Sequence, residues 1–204
     1  MIVAKKERVL GKDHRHRRVR TIRPRGGLAV ARCGRGGHRP DPLAIADRLA
    51  LQDLIADYSW ALDTGDAEAL VACFTDDCVM SEEVFEDPDV WEGHDGIRGL
   101  MKHYANAPGF PGRQHHVTQV QYMPQDDGSV KMRGFAFVTE CEGEPPYLLR
   151  FTGWYDDHAV KGEDGEWRFK RRIVRLWDGE VLKNFPGRGQ WVARKRPDSL
   201  IIKR

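Results

Sequence analysis

A carboxylate and an imidazole are the first residues in this chain whose types suit a reaction. Asp63 closes the run Tyr58-Ser-Trp-Ala-Leu-Asp63, and two histidines open Gln114-His115-His116-Val117-Thr118-Gln119. Proton abstraction beside a carbonyl, or loss of water from it, needs a base active near neutral pH, and imidazole is suited to that. A neighbouring carboxylate orients the ring and stabilises its cation. If the histidine stretch is a strand, His115, Val117, Gln119 and Gln121 share one face, and His116, Thr118, Val120 and Tyr122 the other. Only one of the two histidines then faces an enclosed interior. The competing reading is a surface aspartate and a hydrogen-bonded sheet histidine.

Other candidates are plainer. Glu82 and Glu83 are adjacent, so strand alternation allows only one inward, and a solvated acidic edge is the plainer reading of both. Trp60, Trp91, Phe135, Phe137, Phe151 and Trp154 are suited to lining an apolar pocket or to filling a core. His94, His103, His115 and His116 lack ligand spacing such as H-E-x-x-H, so no metal is expected. No phosphate-binding glycine loop and no G-x-S-x-G elbow is present, and no cofactor is expected. Cys33, Cys73, Cys78 and Cys141 form no C-x-x-C pair, which argues against a zinc site or a disulfide framework and for a reduced, cytoplasmic setting.

The elements that must position these groups begin with Asp41 to Phe74. Leu51, Ile55, Tyr58 and Leu62 recur at helical spacing. Asp41 as N-cap and Pro42 in the first turn mark a start, and Gly65 a stop. Asp66 caps a second, shorter helix. Asp63 sits in the last turn of the first, where a carboxylate opposes the negative end of the helix dipole. Thr75-Asp76-Asp77 reads as a turn, Cys78 to Val84 as a strand and Glu86 to Asp89 as a loop. A third helix runs from about Asp95 to Asn106 with Ile97, Leu100, Met101 and Tyr104 on one face. Strands follow over Gln114–Met123, Ser129–Cys141, Tyr147–Asp157 and Glu166–Leu176, separated by turn residues. Helices first and long strands after is an α+β order, expected as a curved antiparallel sheet wrapped around the long N-terminal helix.

Charge divides the chain. Residues 1–40 hold 13 of its 33 Lys+Arg against Glu7 and Asp13, leaving 20 basic and 29 acidic residues in the remainder. The arm has few large apolar residues and no period, so it is expected to be disordered. It has no aromatics for base stacking, which argues against nucleic acid. Residues 41–180 form the expected domain and 181–204 a basic tail. No window approaches the ~18 apolar residues of a membrane span.

Tyr58-Ser-Trp-Ala-Leu-Asp63-Thr-Gly-Asp66, followed by Leu70, Phe74 and Asp76-Asp77, resembles the opening of the NTF2-like superfamily, in particular its SnoaL-like branch of polyketide cyclases, dehydratases and isomerases. The resemblance spans Pro42 to Gly179 and implies an NTF2-like, cystatin-like cone. The stretch His115-His116-Val117-Thr118-Gln119 is similar to the superfamily's H-x-x-T-N strand motif, with Gln119 where Asn is common, and that register selects His115 over His116. The resemblance implies an Asp63–His115 dyad in a cofactor-independent dehydratase or isomerase acting on a small, apolar, oxygenated or cyclic molecule. It makes Tyr58 similar to a helix tyrosine that donates to substrate oxygen in ketosteroid isomerases. It puts Glu82 at the isomerase base position and Arg172 at a last-strand arginine of dehydrochlorinase-like members. The four basic residues between Trp167 and Val174 make a solvated face the plainer reading. Trp60, Glu82, Arg172, Val117 and Gln119 are the expected substrate contacts. The rival readings are a non-catalytic ligand-binding module and an assembly subunit resembling the dioxygenase β subunit. Phe135 and Phe137 on one face of their strand, opposite Val130, Met132, Ala136 and Val138, predict self-association as a dimer or trimer.

Overall fold

The computed structural model describes residues 43–107, 110–141, 145, 147–192 and 194–196. The basic arm expected over residues 1–40, the cap expected at Asp41-Pro42 and the end of the tail lie outside the described residues. Helix α1 is Ile45–Thr64, with Ala44 at its cap position and no side-chain cap, so the helix starts later than Asp41. Its buried face is Leu51, Leu54, Ile55, Tyr58, Ala61 and Leu62, as the spacing requires. Gly65 ends it at φ 79°, a left-handed conformation that glycine adopts without a Cβ clash. The Asp66 amide donates back to the Ala61 carbonyl at 2.9 Å. The Asp66 side chain then accepts from the Ala69 N–H at 3.0 Å and caps α2, Ala67–Ala72.

Six strands and a third helix follow: β1 Phe74–Glu83, β2 Asp89–Glu92, α3 Gly93–Ala105, β3 Arg113–Pro124, β4 Val130–Glu140, β5 Leu148–Lys161 and β6 Trp167–Leu176. They form one sheet in the order β2-β1-β6-β5-β4-β3. Every pairing is antiparallel except β1 with β6, which is parallel. The core lies between the inner face of this sheet and the three helices, with Leu51, Leu62, Phe74, Ile97, Leu100, Met132 and Phe169 fully enclosed. Thr75-Asp76-Asp77 is not a free turn but an irregular part of β1, where the register with β6 slips between Phe74 and Val79. The short β2, across from β1, carried too few residues to show a period. No helix among the described residues is long and apolar enough to cross a membrane.

Strand β3 departs from simple alternation. Its register with β4 shifts between Thr118 and Gln121, and Gln119 has φ 48°. An extra residue on one strand reverses the phase of the side chains beyond it. Val117 therefore packs on the core before the bulge, and Val120 and Tyr122 after it. Both valines close over Gly134 of β4, where an added Cβ would lie 2.8 Å from Val117 and 3.2 Å from Val120. Gln119 and Gln121 are exposed. Gln119, expected on the inner face with His115, is thus corrected to the apex of a bulge and leaves the set of substrate contacts.

A non-glycine residue in the left-handed region is strained by roughly 1–2 kcal/mol. Gln119→Gly should therefore hold or raise stability by up to about 1 kcal/mol in spite of lying in a strand, and Gln119→Val should lower it. Urea unfolding of the two variants checks this. A clear loss with glycine would mean that the Gln119 side chain itself holds the bulge.

Candidate functional site

Asp63 and His115 are brought together. Asp63 leans from the last turn of α1 onto β3, the last strand of the sheet. Its Oδ1 lies 2.5 Å from His115 Nδ1, and its Oδ2 accepts the His115 backbone N–H at 2.7 Å. The side chains are 14 % and 10 % exposed respectively. An edge strand has backbone donors with no strand to receive them, and the carboxylate takes one of these together with the ring. Bonded at Nδ1 to a carboxylate, the neutral ring carries its proton there and keeps Nε2 as its basic nitrogen. His116 lies on the other face, with Nε2 3.1 Å from Thr139 Oγ1 and its ring stacked on Phe137 at 4.5 Å. Strand alternation thus separates the two histidines as the register motif required.

A second pair extends inward from the first. The Phe110 ring is 6.1 Å from His115 and stacks on Tyr104 of α3 at 4.3 Å. The Tyr104 hydroxyl donates to Glu82 of β1. Burial pushes the Glu82 carboxyl up to about 7. The adjacent Asp89 pushes the same way, and Arg196 and Arg113 oppose it. Of the two neighbouring glutamates only Glu82 is turned inward; Glu83 meets Arg175 at 3.0 Å. Glu82 is therefore an interior acid and not part of a solvated edge. Tyr104 and Phe110 escaped the sequence reading. Tyr104 carried the signal of a core position on α3, and Phe110 sits among turn residues with no period.

The remaining candidates are placed differently. Arg172 is 0 % exposed, which overturns the reading of its strand as a solvated face. Its guanidinium lies 3.7 Å from the Tyr155 ring centre, 4.0 Å from Tyr58 and 4.5 Å from Phe169, and Nη1 is 3.2 Å from Asp157 Oδ2. Tyr58 and Arg172 thus belong to one packed cage. Burial holds the Tyr58 hydroxyl well above its ordinary range, so it stays protonated. Val117 faces inward, two residues from His115. Trp60 is corrected outright: it is 72 % exposed, one position off the apolar stripe of α1. It lines an outer cleft of about 710 Å³ along α1 and α2, and a second of about 400 Å³ lies on the outer sheet face beside Trp154 and Trp191. Neither contains Asp63 or His115. Burial pushes the Cys73 thiol up to about 12 and raises that of Cys78, so neither offers a thiolate near neutral pH. Among the described residues no group of three or more His, Cys, Asp or Glu is arranged to hold a metal.

The raised carboxyl has a consequence for stability. The folded chain keeps a proton on Glu82 that the unfolded chain releases near 4.5. The stability this group contributes is thus present below about pH 4.5 and is lost as the pH rises towards 7. Asp157, which burial pushes to about 7 against the pull of Arg172, adds a parallel loss. Glu82→Gln should flatten the fall in unfolding free energy across this window without abolishing it, as read by urea unfolding at a series of pH values. Equal slopes in the two proteins would place the Glu82 titration at its unfolded value.

Comparison with known proteins agrees with this fold. The family of SnoaL-like domains matches residues 44–173. Rv2910c of Mycobacterium tuberculosis, an uncharacterized protein, is 30 % identical over 132 residues, covering 63 % of this chain and 84 % of its own. Among solved structures, an NTF2-like protein with a cystatin-like fold from Novosphingobium aromaticivorans superposes with a TM-score of 0.57 at 24 % identity, over 66 % of this chain and 84 % of that one. A protein from the same organism, provisionally described as a scytalone dehydratase, gives a TM-score of 0.54 at 26 % identity, over 64 % and 83 %. With its helix-wrapping sheet and its match across residues 44–173, the chain belongs to the SnoaL-like family of the NTF2-like fold.

Proposed function

We propose that this protein is a dehydratase- or isomerase-type enzyme that acts on a small, largely apolar, oxygenated or cyclic molecule through acid/base chemistry of its own side chains. The observation that supports this most is the two-point hold of Asp63 on His115, at 2.5 Å to the ring and 2.7 Å to the amide. It fixes ring orientation and tautomer together, as a working base requires. His115 Nε2 takes a proton from the carbon beside a substrate carbonyl, and Asp63 stabilises the imidazolium. In dehydration the C–O bond at the next carbon breaks as the double bond forms, and the departing hydroxide receives the proton from the imidazolium and leaves as water. In isomerisation the same proton returns to a different carbon. Tyr104 with Glu82 forms a second proton-exchanging pair beyond Phe110. Elimination or isomerisation fits better than hydrolysis through a covalent intermediate, since the interior thiol of Cys73 is held protonated.

Scytalone, for which one relative is provisionally named, is the first compound to assay. Asp63→Asn and His115→Ala should each lower kcat by roughly 10²–10⁴-fold, the range of general acid/base residues. His116→Ala, on the opposite face, should change it little. A turnover that survives His115→Ala unchanged would reject the pair as the catalytic base and favour a ligand-binding module.

The outer sheet face supports self-association. Phe135 and Leu149 are 46 % and 61 % exposed, and Phe135 packs edge-on against Trp177 at 4.9 Å. A two-layer fold with aromatics on its outer face is suited to a dimer or trimer through that face. Light scattering at micromolar concentration should give a multiple of the 23.3 kDa chain mass, and Phe135→Lys should return it to that mass. A monomer for the unaltered protein would overturn this.

A further inference from the structure

We infer that the cleft of about 400 Å³ on the outer sheet face is a second binding site, for a neutral planar ring that carries a carbonyl or amide oxygen. Neither Asp63 nor His115 lines it, and the inference does not depend on the enzyme reading.

Three parts of the chain build the cleft. The sheet contributes the cross-strand pair Trp154 of β5 and Arg175 of β6, which share the outer face with Phe135 of β4. The β1–β2 turn contributes Phe85 and Pro88, and the segment after β6 contributes Gly179 and Trp191. Turn and segment are joined where the Glu86 N–H donates to the Arg194 carbonyl at 2.8 Å. Trp191 packs on Gly179, which has φ 65°; an added Cβ there would lie 3.3 Å from the Trp191 Cβ. Arg175, Gly179 and Trp191 all lie beyond residues 44–173, so the cleft is not complete within the family-matched domain.

The lining determines what the cleft can hold. Its volume suits a single-ring molecule. Phe85, Trp154 and the 47 % exposed Trp191 offer aromatic surface to such a ring. Charge in the lining is largely matched already. Glu83 meets Arg175 at 3.0 Å, Asp178 meets Arg194 at 3.4 Å and Glu180 meets Lys183 at 3.3 Å, while Glu86 is exposed to solvent. What is unmatched is a pair of hydrogen-bond donors. Trp154 is only 4 % exposed, and its indole N–H has no acceptor among the described residues; the buried Nε–H of Arg175 has none either. The Arg175 guanidinium lies 5.4 Å from the Trp154 ring centre, so the two donor groups are neighbours. Buried donors without an acceptor are costly, and two beside one cleft call for an oxygen from outside the chain. A carboxylate would add a further anion to a lining that already holds four. A cation has no acceptor to give. A neutral carbonyl or amide oxygen has two lone pairs, one for each donor.

The test is proton–nitrogen NMR of the six tryptophan indole groups in the full chain, with benzamide as the probe. Benzamide should move the Trp154 and Trp191 signals together and saturably, and leave Trp91, in the core cluster, in place. Benzoate, the anion of the same shape, and toluene, the same ring without an acceptor, should each bind several-fold more weakly. Trp154→Phe keeps a ring and removes the donor. Followed at Trp191, it should weaken benzamide about 2- to 12-fold, the worth of one neutral hydrogen bond, and toluene hardly at all. Trp191→Ala, followed at Trp154, should weaken both. The inference is overturned if benzamide leaves the Trp154 signal in place or moves Trp91 alone, or if toluene or benzoate binds as tightly. It is equally overturned if Trp191→Ala leaves the benzamide affinity unchanged, a result that stands even where Trp154→Phe fails to fold.

Discussion

Asp63 stands where helix electrostatics disfavour it, at the C-terminal end of α1 among the helix's unsatisfied carbonyls. It is held there by two donors of a single residue, the ring and the backbone amide of His115. Charge-assisted bonds of this kind are the stronger class, and together they tie the end of the central helix to the last strand of the sheet. The other interior contacts follow from that tie. With β3 fixed at His115, Phe110 just before the strand is set against the imidazole. Phe110 in turn stacks on Tyr104, and Tyr104 reaches Glu82 on β1. A line of contacts thus crosses the inside of the sheet from its β3 edge towards its β2 edge.

Beside this line lies a cation that serves packing. Removing a guanidinium from water is strongly unfavourable unless its environment replaces the lost solvation. For Arg172 the replacement is three ring faces and one carboxylate, Tyr155, Tyr58, Phe169 and Asp157. Tyr58 makes edge contacts with Phe74, Tyr155 and Phe169 as well, so the cage belongs to the same aromatic core that the helix buries. An arginine built into the core in this way cannot swing to meet a substrate. Its field acts on Asp157 and on the Tyr58 and Tyr155 hydroxyls, favouring their ionised forms against the burial that holds them neutral.

Much of this was legible in the sequence because it rests on short-range rules. The apolar stripe of α1, the glycine that ends it, the Asp66 cap and the α+β order all follow from spacing and residue type. Asp63 was conspicuous because it contradicts the helix dipole, and a residue that breaks a local rule is often one the site requires. What was not legible depends on contacts distant in sequence or on a single irregularity. The bulge at Gln119 shifts the phase of β3 by one residue, and no local propensity marks it. Trp60 was misread because an aromatic near the stripe differs from one on it by a single position, 100° of helix rotation. Arg172 was misread because a strand with five basic residues looks solvated until rings from α1, β5 and the strand itself close over one of them.

The opposed pair Glu82 and Asp89 meets a cation from beyond residues 44–173. Like charges facing each other across paired strands destabilise the pairing, so a fold that places them there needs a cation close by or a retained proton. Both are present. Arg196 lies against Asp89, and Glu82 is pushed into a range where it is partly protonated near neutral pH. Arg196 is laid against the β1–β2 turn where the two carboxyl groups meet, and it and Arg113 both favour the ionised form of Glu82 that burial and Asp89 oppose.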